Sequence, residues 1–138
     1  MKTVVLMGNP NVGKSGIFSR LTGTQVITSN YPGTTVELQR GNTCFQREMV
    51  EIVDLPGIYS LEGDSEEEFL VRRYLDQQET DVVIVVANAT RLERNLYLLL
   101  QVAEYGLPMV VVLNMVDEAA KLGLEIDPGP LRDRLGAE

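Results

Sequence analysis

Apolar and polar positions alternate between two patterns along this 138-residue chain. Short apolar runs have the length of β-strands and occur at residues 3–7, 36–40, 45–53, 81–87 and 109–113. Helical patterns occupy residues 14–21, 65–77, 90–105 and 130–135. Because strands and helices alternate, the chain is predicted to be one α/β domain.

Two capping boxes set the expected starts of helices. Ser65 is followed three residues later by Glu68, and Thr90 is followed in the same way by Glu93. The second of these helices should pack one apolar face, formed by Leu92, Leu96, Leu99, Leu100 and Ala103. Gly and Pro then stop it at positions 106 and 108.

Turn signals predict one hairpin and one long loop. Gly41-Asn42 should join residues 36–40 and 45–53 as a single antiparallel hairpin at the sheet edge. Residues 22–35 show no periodicity and are expected to be a loop, and loops of this length in compact domains are usually functional.

A phosphate-binding motif follows the first predicted strand. The segment Gly8-Asn9-Pro10-Asn11-Val12-Gly13-Lys14-Ser15 fits the pattern G-x-x-x-x-G-K-S and leads into a helix. Its backbone N–H groups and the helix N-terminus would surround phosphate oxygens. Lys14 would reach the β- and γ-phosphates, and the Ser15 hydroxyl would bind Mg²⁺.

A second motif addresses the base of the nucleotide. Asn114-Met115-Val116-Asp117 follows the last predicted strand, at the sheet edge where α/β proteins bind ligands. The Asp117 carboxylate could accept hydrogens from N1 and the 2-amino group of guanine, which adenine cannot offer. The expected ligands are therefore GTP and GDP.

Two loops supply the remaining predicted site residues. In Asp54-Leu55-Pro56-Gly57, Asp54 would hold Mg²⁺ through water and the Gly57 N–H would contact the γ-phosphate. In the 22–35 loop, Thr35 is the preferred second Mg²⁺ hydroxyl and Thr34 its rival. Either threonine would order that loop only while the γ-phosphate is present.

Composition excludes several other chemistries. The chain has 12 Lys and Arg against 20 Asp and Glu, a net charge of −8, which argues against nucleic acid as a partner. It has no His and one cysteine, Cys44, so a Cys/His zinc site and a His-based triad are both excluded. Cys44 is expected to be a buried thiol. The run Glu66-Glu67-Glu68 is interpreted as favouring a helix N-terminus rather than as an iron site.

The chain resembles the N-terminal G domain of the ferrous iron transport protein B family. Beside the phosphate loop, the resemblance rests on residues 30–37, with Gly33, Thr34 and Thr35, and on residues 54–61, 92–98 and 114–119. It implies a P-loop NTPase fold of the Ras-like type, with a mostly parallel sheet and an antiparallel edge hairpin. Compared with that family, residues 1–138 are expected to lack the last strand, the base-covering loop and the final helix.

The resemblance also implies a cellular setting. This domain would lie at the cytoplasmic face of the membrane and would be followed by a helical domain and a transmembrane iron-transport region. No apolar run here approaches the roughly 18 residues of a membrane helix, so the domain itself is expected to be soluble. The formation of a homo-oligomer is left open by the sequence.

Two positions bear on the expected rate of GTP hydrolysis. Many GTPases place Gln after D-x-x-G, whereas this chain has Ile58, which cannot orient water, so hydrolysis is expected to be slow. The resemblance implies that Asn11 binds K⁺, which would act where an arginine finger would; Asn11 could instead only brace the loop. Gly16 stands where the family usually has a hydroxyl that reaches the α-phosphate.

Two other functions compete with this interpretation. A soluble GTPase of the ribosome-assembly or tRNA-modification type shares P-N-x-G-K-S, but usually has D-T-A-G after the third strand and a basic surface. A non-hydrolysing GTP/GDP switch is the other alternative, because Ile58 replaces the water-orienting Gln.

Overall fold

One six-stranded sheet organises the protein, whose computed structural model describes residues 2–23, 26–76 and 80–135. The strands are β1 (Lys2–Gly8), β2 (Val26–Asn30), β3 (Glu37–Phe45), β4 (Glu48–Asp54), β5 (Val82–Asn88) and β6 (Met109–Asn114). The helices are α1 (Lys14–Thr22), α2 (Glu66–Asp76), α3 (Leu92–Ala103), α4 (Val116–Lys121) and α5 (Pro128–Leu135), with a 3₁₀ turn at Ala89–Arg91.

The strand order is β2-β3-β4-β1-β5-β6. The central strand β1 is parallel to both β4 and β5, and β5 is parallel to β6. Strand β3 is antiparallel to β2 and to β4. The predicted α/β fold with a mostly parallel sheet is confirmed, and its parallel half brings the ends of four strands to one edge.

The predicted turn at Gly41-Asn42 is wrong, because β3 runs straight through it. The chain reverses at Gln46 and Arg47, which have φ angles of 49° and 70°. Gly41 serves helix packing instead: a Cβ added there would lie 2.7 Å from Cβ of Thr22 at the end of α1. The missing side chain lets α1 approach the sheet closely.

The predicted loop at residues 22–35 contains the edge strand β2, so this prediction is also wrong in part. Residues 26–30 pair with β3, from Val26 opposite Gly41 to Asn30 opposite Glu37. All five side chains of β2 are exposed, which explains why the sequence shows no alternation there. Residues 24 and 25 of the predicted loop lie outside the described residues.

Helix α2 begins as the sequence predicts. The Ser65 hydroxyl accepts the Glu68 N–H at 3.5 Å, and the three glutamates at 66–68 occupy the first turn, where negative charge is favoured. The described helix ends at Asp76, and Gln77, the predicted end, lies outside the described residues.

Helix α3 differs from its predicted start, whereas four of its five predicted face residues are buried in or packed against the core: Leu92, Leu96, Leu99 and Ala103. Thr90 does not cap it, because the Thr90 N–H and hydroxyl both donate to the Asn88 side chain in the preceding 3₁₀ turn. The buried positions of α3 are Asn95, Leu98, Leu99 and Val102, an i, i+3, i+4, i+7 face. Leu100, predicted to be buried, is 51% exposed since it lies outside that face.

Alternation along β1 divides the core into two layers. Val5 and Met7 face the cluster under α2, α3 and α5, whereas Leu6 faces α1 with Val12 and Phe18. Cys44, predicted to be buried, is exposed because it lies at the far end of β3, opposite the half-exposed Met49. Among the described helices, none is long and apolar enough to cross a membrane.

Candidate functional site

Four polar or glycine residues meet at the carboxyl edge of the parallel strands. Gly8 ends β1, Asp54 ends β4, Asn88 ends β5 and Asn114 ends β6. The register places neighbouring ends within two residues of each other, because Leu6 pairs with Asp54, Gly8 with Val86, and Asn88 with Asn114. This is the edge at which open α/β sheets bind ligands.

The phosphate loop is shaped by its glycines and by one buried valine. A Cβ on Gly8 would lie 2.5 Å from the carbonyl oxygen of Val86, so only glycine fits there. Val12 is 2% exposed and anchors the loop in the α1 layer of the core. Asn11 and Gly13 have φ angles of 65° and 86°, which turn the backbone into α1.

The N-terminus of α1 carries no side-chain cap. Gly13 is its N-cap residue and makes no side-chain hydrogen bond. The first N–H groups of a helix have no partner within the helix, and they carry partial positive charge. This end of α1 is therefore suited to bind an anion.

A cavity of about 400 Å³ lies over this helix end. It is lined by Asn9, Pro10, Asn11, Gly13, Lys14, Ser15 and Gly57. The structure thus brings Gly57, from a loop more than 40 positions away, against the phosphate loop. A Cβ on Gly57 would lie 3.0 Å from Cα of Pro10, so the close approach depends on glycine.

Lys14 and Asp54 form an ion pair beside this cavity. The Lys14 ammonium donates to Oδ1 of Asp54, and the two side chains are only 12% and 10% exposed. Charges this buried are stable only when they are paired or bound to a ligand. The pair keeps a cation and a carboxylate next to the helix N-terminus.

Asn114 supports the phosphate loop directly. Its Nδ2 donates to the carbonyl oxygen of Val12 at 2.9 Å, and a Cβ on Gly13 would lie 2.2 Å from the same nitrogen. Met115 follows with a left-handed φ of 63° and caps α4. Asp117 lies exposed in the first turn of α4, at the same sheet edge.

Thr34 and Thr35 do not line the phosphate cavity in this structure. Thr34 donates its hydroxyl to the carbonyl oxygen of Tyr31 at 3.0 Å. Thr35 donates its hydroxyl and its backbone N–H to Oε2 of Glu66, at 2.9 and 3.3 Å. Gly33 precedes them with a φ of 82°, in the left-handed region.

Ile58 is a core residue rather than a member of the cavity. It is 3% exposed, and its N–H donates to the carbonyl oxygen of Gly8 at 3.0 Å. Leu55, which precedes Pro56, is fully buried, and its N–H donates to the carbonyl oxygen of Leu6 at 3.0 Å. The loop after β4 therefore continues the pairing with β1, which fixes Gly57 in place.

A second cavity of about 260 Å³ lies on the α3 side of the phosphate loop. It is lined by Asn9, Pro10, Asn11, Val12, Tyr59, Asn88, Arg91, Arg94 and Asn95. Sequence reasoning assigned no role to Asn88, Arg94 or Asn95. The available signal was that residues 92–98 are one of the stretches that carry the family resemblance.

Three tyrosines have shifted titration, all outside the phosphate cavity. The hydrogen bond from Tyr97 to the Glu62 carboxylate raises the pKa of that phenol, since ionisation would break the bond. Burial raises the pKa of Tyr74 and of Tyr105; the nearby Arg40 guanidinium partly offsets the rise at Tyr74. These phenols stay neutral at neutral pH: Tyr97 donates to Glu62, whereas Tyr74 accepts a hydrogen bond from the Arg40 guanidinium at 2.9 Å.

Comparison with known proteins gives a consistent result. The family model for ferrous iron transport protein B matches residues 2–138. A curated relative, the Fe(2+) transporter FeoB of Synechocystis sp., is 45% identical over 135 residues, which are 98% of this chain and 22% of the relative. The chain therefore spans about a fifth of the length of that relative.

Solved structures agree in fold over nearly the whole chain. A variant of the S. thermophilus domain bound to GDP has a TM-score of 0.93 and 42% identity, and the match covers 99% of this chain and 53% of the other. The cytosolic domain of the T. maritima iron transporter in its GMPPNP form has a TM-score of 0.92 and 40% identity, with 99% and 54% coverage. On the family match, the relatives and these structures, the chain belongs to the ferrous iron transport protein B family.

Proposed function

We propose that this domain binds GTP, hydrolyses it to GDP and phosphate, and regulates Fe²⁺ passage through the membrane transporter to which it belongs. The observation that carries the proposal is the cavity in which Lys14, Ser15 and Gly57 converge on the uncapped end of α1. A helix N-terminus, a lysine and loop N–H groups together match a triphosphate chain.

Guanine is the proposed base. Asp117 is exposed at the carboxyl edge of the sheet, two residues after the Met115 turn, where it is free to pair with a ligand. A carboxylate there selects guanine because adenine would leave it unpaired. Solved relatives in GDP and GMPPNP forms support this choice.

Mg²⁺ fits the donor set beside the cavity. Ser15 supplies a hydroxyl and Asp54 a carboxylate, and oxygen ligands of this kind suit a hard divalent cation. Bound there, Mg²⁺ would neutralise charge on the β- and γ-phosphates. Thr35 would join these ligands only after leaving Glu66.

The chain's own groups have separate roles in the proposed hydrolysis. Lys14, once released from Asp54 by the incoming phosphates, offsets the negative charge that develops on the phosphate oxygens. The Gly57 N–H fixes the γ-phosphate from the opposite wall of the cavity. Asn11, at the apex of the loop, would hold K⁺, which would supply positive charge where an arginine finger would. Turnover is slow because Ile58 is buried and cannot orient water.

Single-turnover hydrolysis of GTP tests the enzymatic part of the proposal. We expect GDP to form faster in KCl than in NaCl of equal concentration, and Asn11→Ala should remove the difference without changing the rate in NaCl. Lys14→Ala is the control that should lose nucleotide binding. Equal rates in the two salts would contradict the role of K⁺, and GTP binding without GDP formation would leave a nucleotide switch.

Regulation of iron passage concerns the rest of the transporter, which we propose to comprise a helical domain and a transmembrane region, with this domain at the cytoplasmic face. The test is to replace the matching domain of the Synechocystis transporter with this chain and to measure uptake of radioactive Fe²⁺ by cells. Uptake should require the intact phosphate loop and fall with Lys14→Ala. Equal Fe²⁺ uptake by the chimaeric transporter and by its Lys14→Ala variant would contradict the proposed regulation.

A non-hydrolysing GTP/GDP switch is the second candidate function. One observation favours it: Thr35 is hydrogen-bonded to Glu66 and does not line the phosphate cavity. The ribosome-assembly and tRNA-modification alternatives have no comparable support, since the chain belongs to a different family.

A further inference from the structure

Asn9 connects the phosphate loop to α3. It follows Gly8 in the loop and is only 3% exposed. Its Nδ2 donates to the carbonyl oxygen of Arg94, in the first turn of α3, at 3.5 Å. Among the described residues, this is the only hydrogen bond that joins the phosphate loop to that helix.

The same helix holds the segment that follows Gly57. The Arg94 guanidinium lies over the Tyr59 ring, 5.6 Å from its centroid. The Tyr97 hydroxyl donates to Glu62 at 2.8 Å. Positions 94, 97 and 101 share one helical face, and the last of them, Gln101, accepts the N–H of residue 61 at 2.8 Å.

Helix α3 is itself fixed to the sheet at this end. Asn95 is 4% exposed, and its Oδ1 accepts the N–H of Asn88 at the end of β5, at 3.3 Å. Its Nδ2 donates to the carbonyl oxygen of Arg91 at 2.8 Å. The first turn of α3 is therefore a rigid support, because the oxygen and the nitrogen of the buried Asn95 amide both form hydrogen bonds there.

The apex of the phosphate loop needs such a support. Pro10 and Asn11 line both the 260 Å³ cavity and the phosphate cavity, and Asn11 is exposed, so few protein contacts hold the apex in place. Asn11 has a left-handed φ of 65°, a conformation that Asn adopts more readily than other residues with a side chain. Pro10 also forms the contact surface for Gly57.

We propose that Asn9 is a positioning residue for GTP hydrolysis, because it fastens Pro10 and Asn11 to the helix that also fastens the segment after Gly57. The two walls of the phosphate cavity then keep a fixed separation. This inference rests on the proposed function, since it concerns the same site. Asn9 acts through the loop, by its hydrogen bond to the carbonyl oxygen of Arg94.

The side-chain oxygen of Asn9 provides a way to test the positioning role. Its Oδ1 is buried and accepts no hydrogen bond from the described residues. A buried acceptor without a partner destabilises the fold, so an apolar side chain of the same size should not reduce stability. Asn9→Leu therefore separates positioning from stability.

The experiment compares Asn9→Leu and Asn9→Ala with the wild-type chain and with Asn42→Ala, an exposed asparagine of β3. At saturating GTP, both Asn9 variants should hydrolyse about 10-fold more slowly in a single turnover, because small misplacements at a reacting centre are costly. Their GDP affinity should change less than about 3-fold, and the melting temperature of Asn9→Leu should not fall. Asn42→Ala should match the wild type in all three.

A double-mutant cycle with Tyr59→Ala tests the common support. If α3 couples the two walls, the fold-decrease in hydrolysis rate of the double variant is smaller than the product of the fold-decreases of the two single variants. Independent, multiplicative losses would overturn the inference, as would a normal turnover rate in both Asn9 variants. A loss of GDP affinity equal to the loss of rate would also overturn it, because that pattern indicates a structural role.

The test remains valid if the wild-type chain proves not to hydrolyse GTP. In that case the proposed enzymatic function fails, and the readout becomes the ratio of GMPPNP affinity to GDP affinity. Positioning of the γ-phosphate walls predicts that both Asn9 variants lower this ratio about 10-fold. An unchanged ratio overturns the role of Asn9 independently of catalysis.

Discussion

Thr35 donates two hydrogen bonds to one carboxylate oxygen of Glu66, from its hydroxyl at 2.9 Å and its backbone N–H at 3.3 Å. Both residues are exposed, and neither lines the phosphate cavity. If Thr35 binds Mg²⁺ in the GTP-bound state, as proposed, Glu66 competes with the metal for the same hydroxyl.

The first prediction follows from this competition. Glu66→Ala should free Thr35 and increase the affinity for GMPPNP with Mg²⁺ about 3- to 10-fold, while GDP affinity stays unchanged. The size reflects hydrogen bonds to an exposed carboxylate, which are worth about 1 kcal/mol. Titration with fluorescent analogues of both nucleotides measures it. Glu67→Ala, in the same helical turn, is the matched control, and equal effects of both substitutions would contradict the competition.

The second prediction concerns glycine in α1. A Cβ on Gly16 meets no atom within 4 Å, so Gly16→Ala should stabilise the fold by about 1 kcal/mol through helix propensity. Thermal unfolding should show a melting temperature about 3 to 5 °C higher. Gly41→Ala should act in the opposite direction, since its Cβ would lie 2.7 Å from Thr22. A fall in melting temperature for Gly16→Ala would show that α1 needs glycine there.

The third prediction assigns Asn114 to the phosphate loop. Asn114→Ala removes the hydrogen bond to the Val12 carbonyl oxygen, which is worth about 1 kcal/mol. We expect GDP and GMPPNP to bind about 5- to 10-fold more weakly, to a similar extent, because both use the same loop. Calorimetric titration measures the two affinities. A change in preference between guanine and xanthine nucleotides would instead place Asn114 on the base.

The fourth prediction assigns base choice to Asp117. Asp117→Asn should shift the binding preference from GDP toward XDP. The Asn amide N–H can donate to the carbonyl that xanthine has in place of the 2-amino group of guanine. Competition between the two nucleotides provides the measurement. Glu118→Gln, its exposed neighbour in α4, is the control and should leave the preference for GDP intact. Unchanged base choice in Asp117→Asn would remove guanine recognition from this residue.

Three of the four strands in the parallel half of the fold were predictable because they are continuous apolar runs; the fourth, β4, begins at Glu48 and not at residue 45 as predicted. Residues 3–7, 81–87 and 109–113 were all assigned correctly to within one residue at each end. The antiparallel half was not, since β2 is exposed on both faces and carries no period of two. The Gly41-Asn42 pair resembles a turn, but its glycine is required by Thr22, a residue of another element.

The candidate site was predictable where one segment carries the whole signal. The phosphate loop is of this kind, and the cavity contains it together with Gly57. The ion pair of Lys14 with Asp54 and the hydrogen bond of Asn9 to Arg94 join residues 40 and 85 positions apart. No local pattern encodes such contacts, because they depend on how the strands are ordered.

The contact between Gly41 and Thr22 has a mechanical consequence for the domain. Helix α1 begins at the phosphate loop and ends, at the buried Thr22, against the middle of β3. A helix of nine residues is about 13 Å long and hardly compressible. A displacement of the phosphate loop along the axis of α1 would therefore be transmitted through Thr22 to β3, a strand of the antiparallel half of the sheet.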